Sequence, residues 1–463
     1  MEAEHPLVAS NLALLEVWLE AQRAYWGLPG VAVGIVQDQA LIYAKGIGYA
    51  NLETHTPVTP QTIYRIASHS KLFTAIAIMQ LRDQGKLNLD DSVKQYLPWF
   101  DIPNGCPQAT SITVRHLVTH TSGLPREAGS GYWTDFEFPT TQQVIERLSS
   151  QRTIYPAATR FKYSNLAVTL AGEIVATVSQ QSFAEYIQQH ILAPLDMQST
   201  SVVLPADNKE RLATGYGRRL PDGTRTPLPF VDAKGMGAAT GLSSTIQDMA
   251  KFVSWQFRLR ESNGAEVLKA STLREMQRVH WLLPDWQSGQ GLGFSIVHYA
   301  ARDLIGHIGL YPGYATATYI SPQEKIGVIV LTNALDAQPY PGQPWSITDR
   351  IFEWIAPALT TAIKGEAGPT QPDPKWRQFE GTYRSIWADM HVLVLDGKLS
   401  IIDPTLPNPK LTMLTLEPVA ENTFKLEGVG FGPLGELVTF ELGGDGGASS
   451  IEVGENRALR VRY

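Results

Sequence analysis

The chain has 463 residues, too many for one ordinary core, and its 43% hydrophobic and 18% charged content suits a soluble globular enzyme of two or three domains. The 38 Lys and Arg against 45 Asp and Glu give a net charge of -7 with no basic run, which argues against nucleic acid as a partner. One cysteine, Cys106, rules out an intrachain disulfide and fits a reducing compartment.

The opening segment, MEAEHPLVASNLALLEVWLEAQ, is acidic and lacks a basic start. It reads as an amphipathic helix and not as a secretory signal, so a cytoplasmic protein is expected. No stretch approaches about eighteen apolar residues, so no membrane span is expected. VAVGIV and ALIYAKGIGYA read as two strands joined in a hairpin at Asp38-Gln39. A loop rich in Thr and Pro, Thr54 to Thr62, leads to LFTAIAIMQL, Leu72 to Leu81. That run is apolar on nearly every face, as in a helix inside a domain. From about 87 to 240 the pattern is mostly helical with long loops. Strand signals return at GLGFSIVHY, YATATYI and KIGVIVLTN, and ITDRIFEWIAPALTTAIK reads as a closing helix. Strands at both ends around a helical insert predict one antiparallel sheet covered by the terminal helices. The active site would lie between sheet and helical lobe.

GEAGPTQPDPK, residues 365–375, is a linker by composition. After it come eight short alternating segments, FEGTYRS, MHVLVL, KLSII, LTMLTL, TFKLEG, ELVTFEL, SSIEV and ALRVRY, which predict a small all-β barrel or sandwich. The expected division is therefore 1–364, a linker at 365–375, and a barrel at 376–463.

Ser68-His69-Ser70-Lys71 carries the chemistry. Three residues apart on a helix, Ser68 and Lys71 share a face. A serine hydroxyl is a weak nucleophile until a base takes its proton, and a buried lysine whose pKa has fallen can serve. Two further segments stand downstream at wide intervals: Tyr163-Ser164-Asn165 before LAVTLAGEIV, and Gly306-His307-Ile308-Gly309 before TATYI.

A Ser-x-x-Lys, a Tyr-x-Asn and a His-x-Gly in that order resemble the serine β-lactamase and penicillin-binding-protein superfamily. IYRIASHSKLFTA resembles the family's nucleophile helix and GKLNLDDSVKQYLPWF the segment that follows it, while ITVRHLVTHTSGLP, Ile112 to Pro125, and GLSSTIQDMAKF are similar to stretches of its class C branch. The resemblance covers about residues 20 to 360 and extends to peptidase family S12 and the family VIII esterases. It implies an α/β fold, an antiparallel sheet flanked by helices plus an all-helical lobe at 87–240. The C-terminal barrel resembles the lipocalin-like domain of some relatives. The resemblance makes Ser68 the nucleophile of an acyl-enzyme and Lys71 its activating partner. Tyr163 would carry the proton to the leaving group through a phenol pKa lowered by Lys71. Asn165 would bond a substrate carbonyl or the Lys71 ammonium, with a helix N-cap as the plainer role. The oxyanion would sit between the backbone N–H groups of Ser68 and Leu310. Gly309 would let the backbone approach substrate.

His307 stands where many β-lactamases place lysine, and at neutral pH it is largely uncharged. Ile308 and Leu310 stand where relatives that bind a carboxylate often carry hydroxyls. Both changes favour an esterase or D-amino-acid peptidase over a DD-carboxypeptidase or β-lactamase, unless an arginine such as Arg225 or Arg302 compensates. The same acyl-enzyme would serve an acyltransferase or peptide cyclase, and a non-catalytic binding protein of the same fold is the remaining reading. No cofactor is implied. His116 and His120 have the i, i+4 spacing of zinc ligands, but leucine replaces the expected glutamate, so no metal is expected. Tyr132, Trp133, Trp281 and Trp286 are candidates to line an acyl pocket. The expected partner is a small ester, amide or peptide, and a homo-oligomer is compatible with the sequence.

Overall fold

The hairpin is present: β1 (Gly30–Gln37) and β2 (Ala40–Asn51) pair antiparallel across Asp38-Gln39. The structure is a computed structural model that describes all residues except 1–3, 107–109, 130, 338, 340, 344–345, 370, 429–433, 445 and 462–463. Of the segments read above, the first three residues, Pro107 and Gln108 after Cys106, Thr370 of the linker, and Arg462 and Tyr463 of the last strand lie outside the described residues.

By packing, the chain divides into two units, residues 28–342 and residues 1–27 with 343–463. The long helices are α1 (Pro6–Trp26), α2 (Ser70–Asp83), α3 (Asn165–Ser179), α4 (Ile246–Glu261) and α5 (Ile347–Ile363). The larger unit holds α2 to α4 and the main sheet. Its remaining strands are β3 (Thr56–Pro57), β4 (Trp281–Leu282), β5 (Ser288–Gln290), β6 (Ser295–Tyr299), β7 (Arg302–Tyr311), β8 (Tyr314–Ser321) and β9 (Ile326–Thr332). The order is β3-β2-β1-β9-β8-β7-β6-β5-β4, all antiparallel. Strands from the two ends of this unit meet at the middle, with Val31 opposite Thr332. β1, β8 and β9 are buried along their whole length. Their Val, Ile and Ala runs suit strands covered on both faces, and α4 packs on β1 and β9.

In the smaller unit α1 packs on α5, with the rings of Trp18 and Trp354 edge to face at 5.5 Å. Trp18 Nε1 donates to the Leu406 carbonyl and Gln22 Nε2 to that of Pro404, both at 2.9 Å. Packing thus groups both terminal helices with the C-terminal strands, whereas the sequence pattern sets the boundary at 364. The Trp18 indole and the Gln22 amide bond into a loop that lies far downstream in sequence, which local patterning cannot show. The eight C-terminal segments form one closed up-and-down barrel, β10 (Gly381–Arg384) to β17 (Asn456–Val461), and Thr382 stands opposite Val461 at the closure. Aromatic rings fill its core: Phe379 stacks on Phe440 at 4.4 Å, and Phe424 meets Phe440 edge-on at 5.7 Å. No helix among the described residues is long and apolar enough to cross a membrane.

Candidate active site

Ser68 sits in a single 3-10 turn, Ala67–His69, that runs into α2. The turn starts from Ala67 at φ 51°, a left-handed conformation that costs a Cβ-bearing residue roughly 1–2 kcal/mol. Ser70 braces it: its hydroxyl donates to the Ala67 carbonyl at 2.6 Å and accepts from the Leu242 N–H at 2.9 Å. Every residue of α2 from Ser70 to Leu81 is buried. Such an all-round apolar helix is stable only inside a core, and it carries Lys71 in with it.

Lys71 Nζ lies 2.9 Å from Ser68 Oγ and donates to the Ala239 carbonyl at 2.7 Å. Burial drives its pKa well below the ordinary lysine value; the neighbouring Glu127 opposes this and Arg126 reinforces it. Tyr163 reaches Ser68 from the segment before α3, its hydroxyl donating to Oγ at 2.9 Å. The sequence expectation of a lowered phenol is overturned here. Burial pushes the Tyr163 pKa up to about 12, despite its bond to Ser68 and the nearby Arg126 charge. The phenol therefore keeps its proton at neutral pH.

Asn165 is the first residue of α3 and not its cap; Ser164 is the cap, accepting from Ala167 N–H at 2.9 Å. Nor does Asn165 bond Lys71. Its Nδ2 donates to both carboxylate oxygens of Glu127 at 3.0 Å, and its Oδ1 is buried without a partner among the described residues. The Tyr132 hydroxyl also donates to Glu127.

β7 supplies the opposite wall. His307 Nδ1–H donates to the Ile308 carbonyl at 2.5 Å, which leaves Nε2 as an acceptor in the neutral ring. Burial, with Lys71 and His69 adding to it, lowers its pKa to about 3. Gly309 is explained by a different close approach from the one expected. A Cβ there would come within 2.3 Å of the Ile66 carbonyl and 2.4 Å of Thr316 Oγ1. The strand is pressed against the turn that carries Ser68. Leu310 is exposed on the cavity side of the same strand.

These residues line one cavity of about 740 Å³, which takes in Ser68, Tyr163, Asn165, His307, Ile308 and Leu310. Of the four aromatic candidates only Trp133 lines it, with Phe136 and Tyr311. Tyr132 is buried behind Glu127, Trp281 opens the edge strand β4, and Trp286 is exposed in a turn. Arg225 is paired with Asp336 at 2.5 Å and Arg302 with Glu324 at 2.8 Å, and neither lines the cavity. Arg126, Glu127 and Arg218 do, and the sequence reading passed over them. Their only signal was position: Arg126 and Glu127 directly follow the HTSGLP stretch.

The two histidines of zinc-like spacing have separate tasks. His116 Nδ1 accepts from the Thr113 N–H at the start of its own short helix. His120 Nδ1 accepts from the Ser164 N–H at 3.2 Å, and its ring lies 4.4 Å from that of Tyr163, so it positions the tyrosine segment.

Comparison with known proteins bears on this geometry. The beta-lactamase family model matches residues 19–349. The chain belongs to that family. "Beta-lactamase-like protein 2" of Dictyostelium discoideum is 32% identical over 310 residues, 65% of this chain and 56% of that protein. "Protein flp" of Staphylococcus aureus (strain MW2) is 26% identical over 314 residues, 66% of this chain and 60% of the other. The match thus spans less than two thirds of either relative's length. Among solved structures, the octameric penicillin-binding protein homologue from Pyrococcus abyssi aligns with a TM-score of 0.63 at 26% identity, covering 97% of this chain and 100% of that one. The fold is that of the β-lactamase and penicillin-binding-protein superfamily of serine hydrolases.

Proposed function

We propose that the protein is a serine hydrolase that cleaves esters and amides through an acyl-enzyme at Ser68. The observation that carries this reading is that Ser68 Oγ lies 2.9 Å from both Lys71 Nζ and Tyr163 Oη. With the Lys71 pKa lowered by burial and the Tyr163 phenol holding its proton, the roles separate. Lys71 accepts the Ser68 proton as Oγ attacks the substrate carbonyl carbon. The oxyanion forms against the backbone N–H groups of Ser68 and Leu310, and one such donor is typically worth about 10² to 10³ in rate. Tyr163 gives its proton to the leaving oxygen or nitrogen as the C–O or C–N bond breaks, and the Lys71 ammonium returns a proton to Tyr163. Water then attacks the acyl carbon, giving its proton to the Lys71–Tyr163 pair, and Ser68 leaves protonated.

The wall formed by β7 points to the substrate class. His307 has spent its one N–H on Ile308, and Ile308 and Leu310 carry no hydroxyl. A carboxylate brought against this strand loses water without gaining a side-chain donor, which is costly. Short esters and D-aminoacyl amides should therefore outrun penicillins and D-Ala-D-Ala peptides. Measuring kcat/KM for a p-nitrophenyl ester, nitrocefin and a D-Ala-D-Ala peptide on one preparation tests this. The ester should be fastest, and a win of about tenfold or more by either carboxylate-bearing substrate overturns the reading of this strand.

A further inference from the structure

A carboxylate inside an acyl cavity needs an explanation, and Glu127 has no part in the proton transfers at Ser68. Its side chain is 22% exposed and lines the same cavity as Ser68. Four acceptor positions on a carboxylate are filled here by three neighbours. Asn165 Nδ2 bonds both oxygens at 3.0 Å, Tyr132 bonds Oε2, and Arg126 Nε bonds Oε1 at 3.1 Å. The neighbours differ in kind. Asn165 and Tyr132 are buried, so they fix the carboxylate in place. Arg126 is 60% exposed, and its guanidinium carbon lies over the Tyr163 ring, 4.9 Å from the centroid. An exposed ion pair of this sort contributes little and is readily exchanged. Trp133, Phe136, Leu228 and Tyr311 give the surrounding wall an apolar character, where a second cation gains more from a fixed carboxylate than it would in water.

We propose that Glu127 is a specificity-determining residue that receives a positively charged amine on the acyl donor, and that Arg126 is its displaceable cover. In the resting enzyme Arg126 occupies the outward position on Oε1. A donor bearing a protonated amine close to its scissile carbonyl replaces Arg126 there, while Asn165 and Tyr132 hold the carboxylate still. The substrate class narrows to aminoacyl esters and amides with a free amino group. This rests on the proposed acyl-enzyme at Ser68 and adds a recognition step to it.

The test compares two donors on the same preparation at pH 7, below the usual α-amino range of about 7.7–8.0. One is a D-alanyl p-nitroanilide with a free amine, and the other is its N-acetylated counterpart. The ratio of their kcat/KM values cancels any loss common to both. Glu127→Gln should lower the ratio by about tenfold or more. Arg126→Ala should raise it, because the competing cation is gone. Opposite shifts are what a fixed receptor with a movable cover requires. A ratio unmoved by both variants, or moved in the same direction by both, overturns the proposal. If Glu127→Gln fails to fold, the Arg126→Ala result decides alone, and a ratio that stays level or falls contradicts it. If free amines act only when added as acceptors, so that transfer product forms while the donor ratio in the unsubstituted enzyme stays near one, Glu127 serves the acceptor and the proposal fails. Failure of the Ser68 reading would look different, since neither donor would turn over at all.

Discussion

At the scale of single residues, Lys71 is the buried amine beside Ser68. Burial holds the pKa of its amine well below the ordinary value that the unfolded chain keeps. Lys71→Met keeps the length and apolar bulk and removes the base, so ester turnover should fall by about 10² to 10⁴. The stability consequence has the opposite sign. Between the lowered folded pKa and the ordinary lysine value near 10.4, the unfolded state binds one more proton than the folded state. Stability from this group therefore rises with pH across that window and is lost as pH falls. Methionine has no such dependence. Lys71→Met should raise the melting temperature at pH 7, with the gain shrinking as pH climbs toward 10. A variant less stable than the parent at pH 7 would contradict this account of Lys71. The residues of the site divide sharply by how far they could be read beforehand. Ser68, Lys71 and Tyr163 could be placed because their spacing and order matched a known pattern, and the structure brings them together. The direction of the Tyr163 shift could not, because burial of the phenol itself decides it. Glu127 and Arg126 could not either, since a loop with no periodicity delivers them.

At the scale of elements, the site depends on how α2 is entered. Ser70 joins the strained Ala67 carbonyl to the N–H of Leu242, so one hydroxyl ties the turn that carries Ser68 to the segment that follows Ala239, a Lys71 partner. Ser70→Ala removes it and leaves a buried carbonyl and a buried N–H short of a bond. A loss of about 1–3 kcal/mol in denaturant unfolding is expected, together with a fall in kcat larger than any change in KM, because the turn that aims Ser68 loosens. An unchanged kcat would show that the turn is held by something other than Ser70. The elements themselves were readily legible. Continuous apolar runs marked the central strands, and strict alternation marked the barrel strands. What sequence could not show was partnership over distance. Trp18 and Gln22 bond a loop nearly 390 residues away, so the terminal helices, read with the first domain, pack with the barrel. Asn165 looked like a cap because it precedes an apolar helix, but Ser164, one residue earlier, has the shorter hydroxyl and takes that place.

For the whole molecule, two accounts fit the same fold: a working hydrolase, and a binding protein that has kept the architecture. The likeness to a solved penicillin-binding protein homologue runs over 97% of the chain, so it says nothing that separates them. The barrel core is filled with Phe379, Phe424 and Phe440, which directs attention to the Ser68 cavity for small-molecule chemistry. That cavity is lined by Ser68, Tyr163 and Glu127, and Ser68 Oγ lies 2.9 Å from both Lys71 Nζ and Tyr163 Oη. The most direct measurement is intact-mass analysis of the full chain after exposure to a fluorophosphonate, followed by peptide mapping. The account predicts a single adduct on Ser68, absent in Ser68→Ala and much slowed in Lys71→Met. No adduct, or one on another serine that persists in Ser68→Ala, would contradict it.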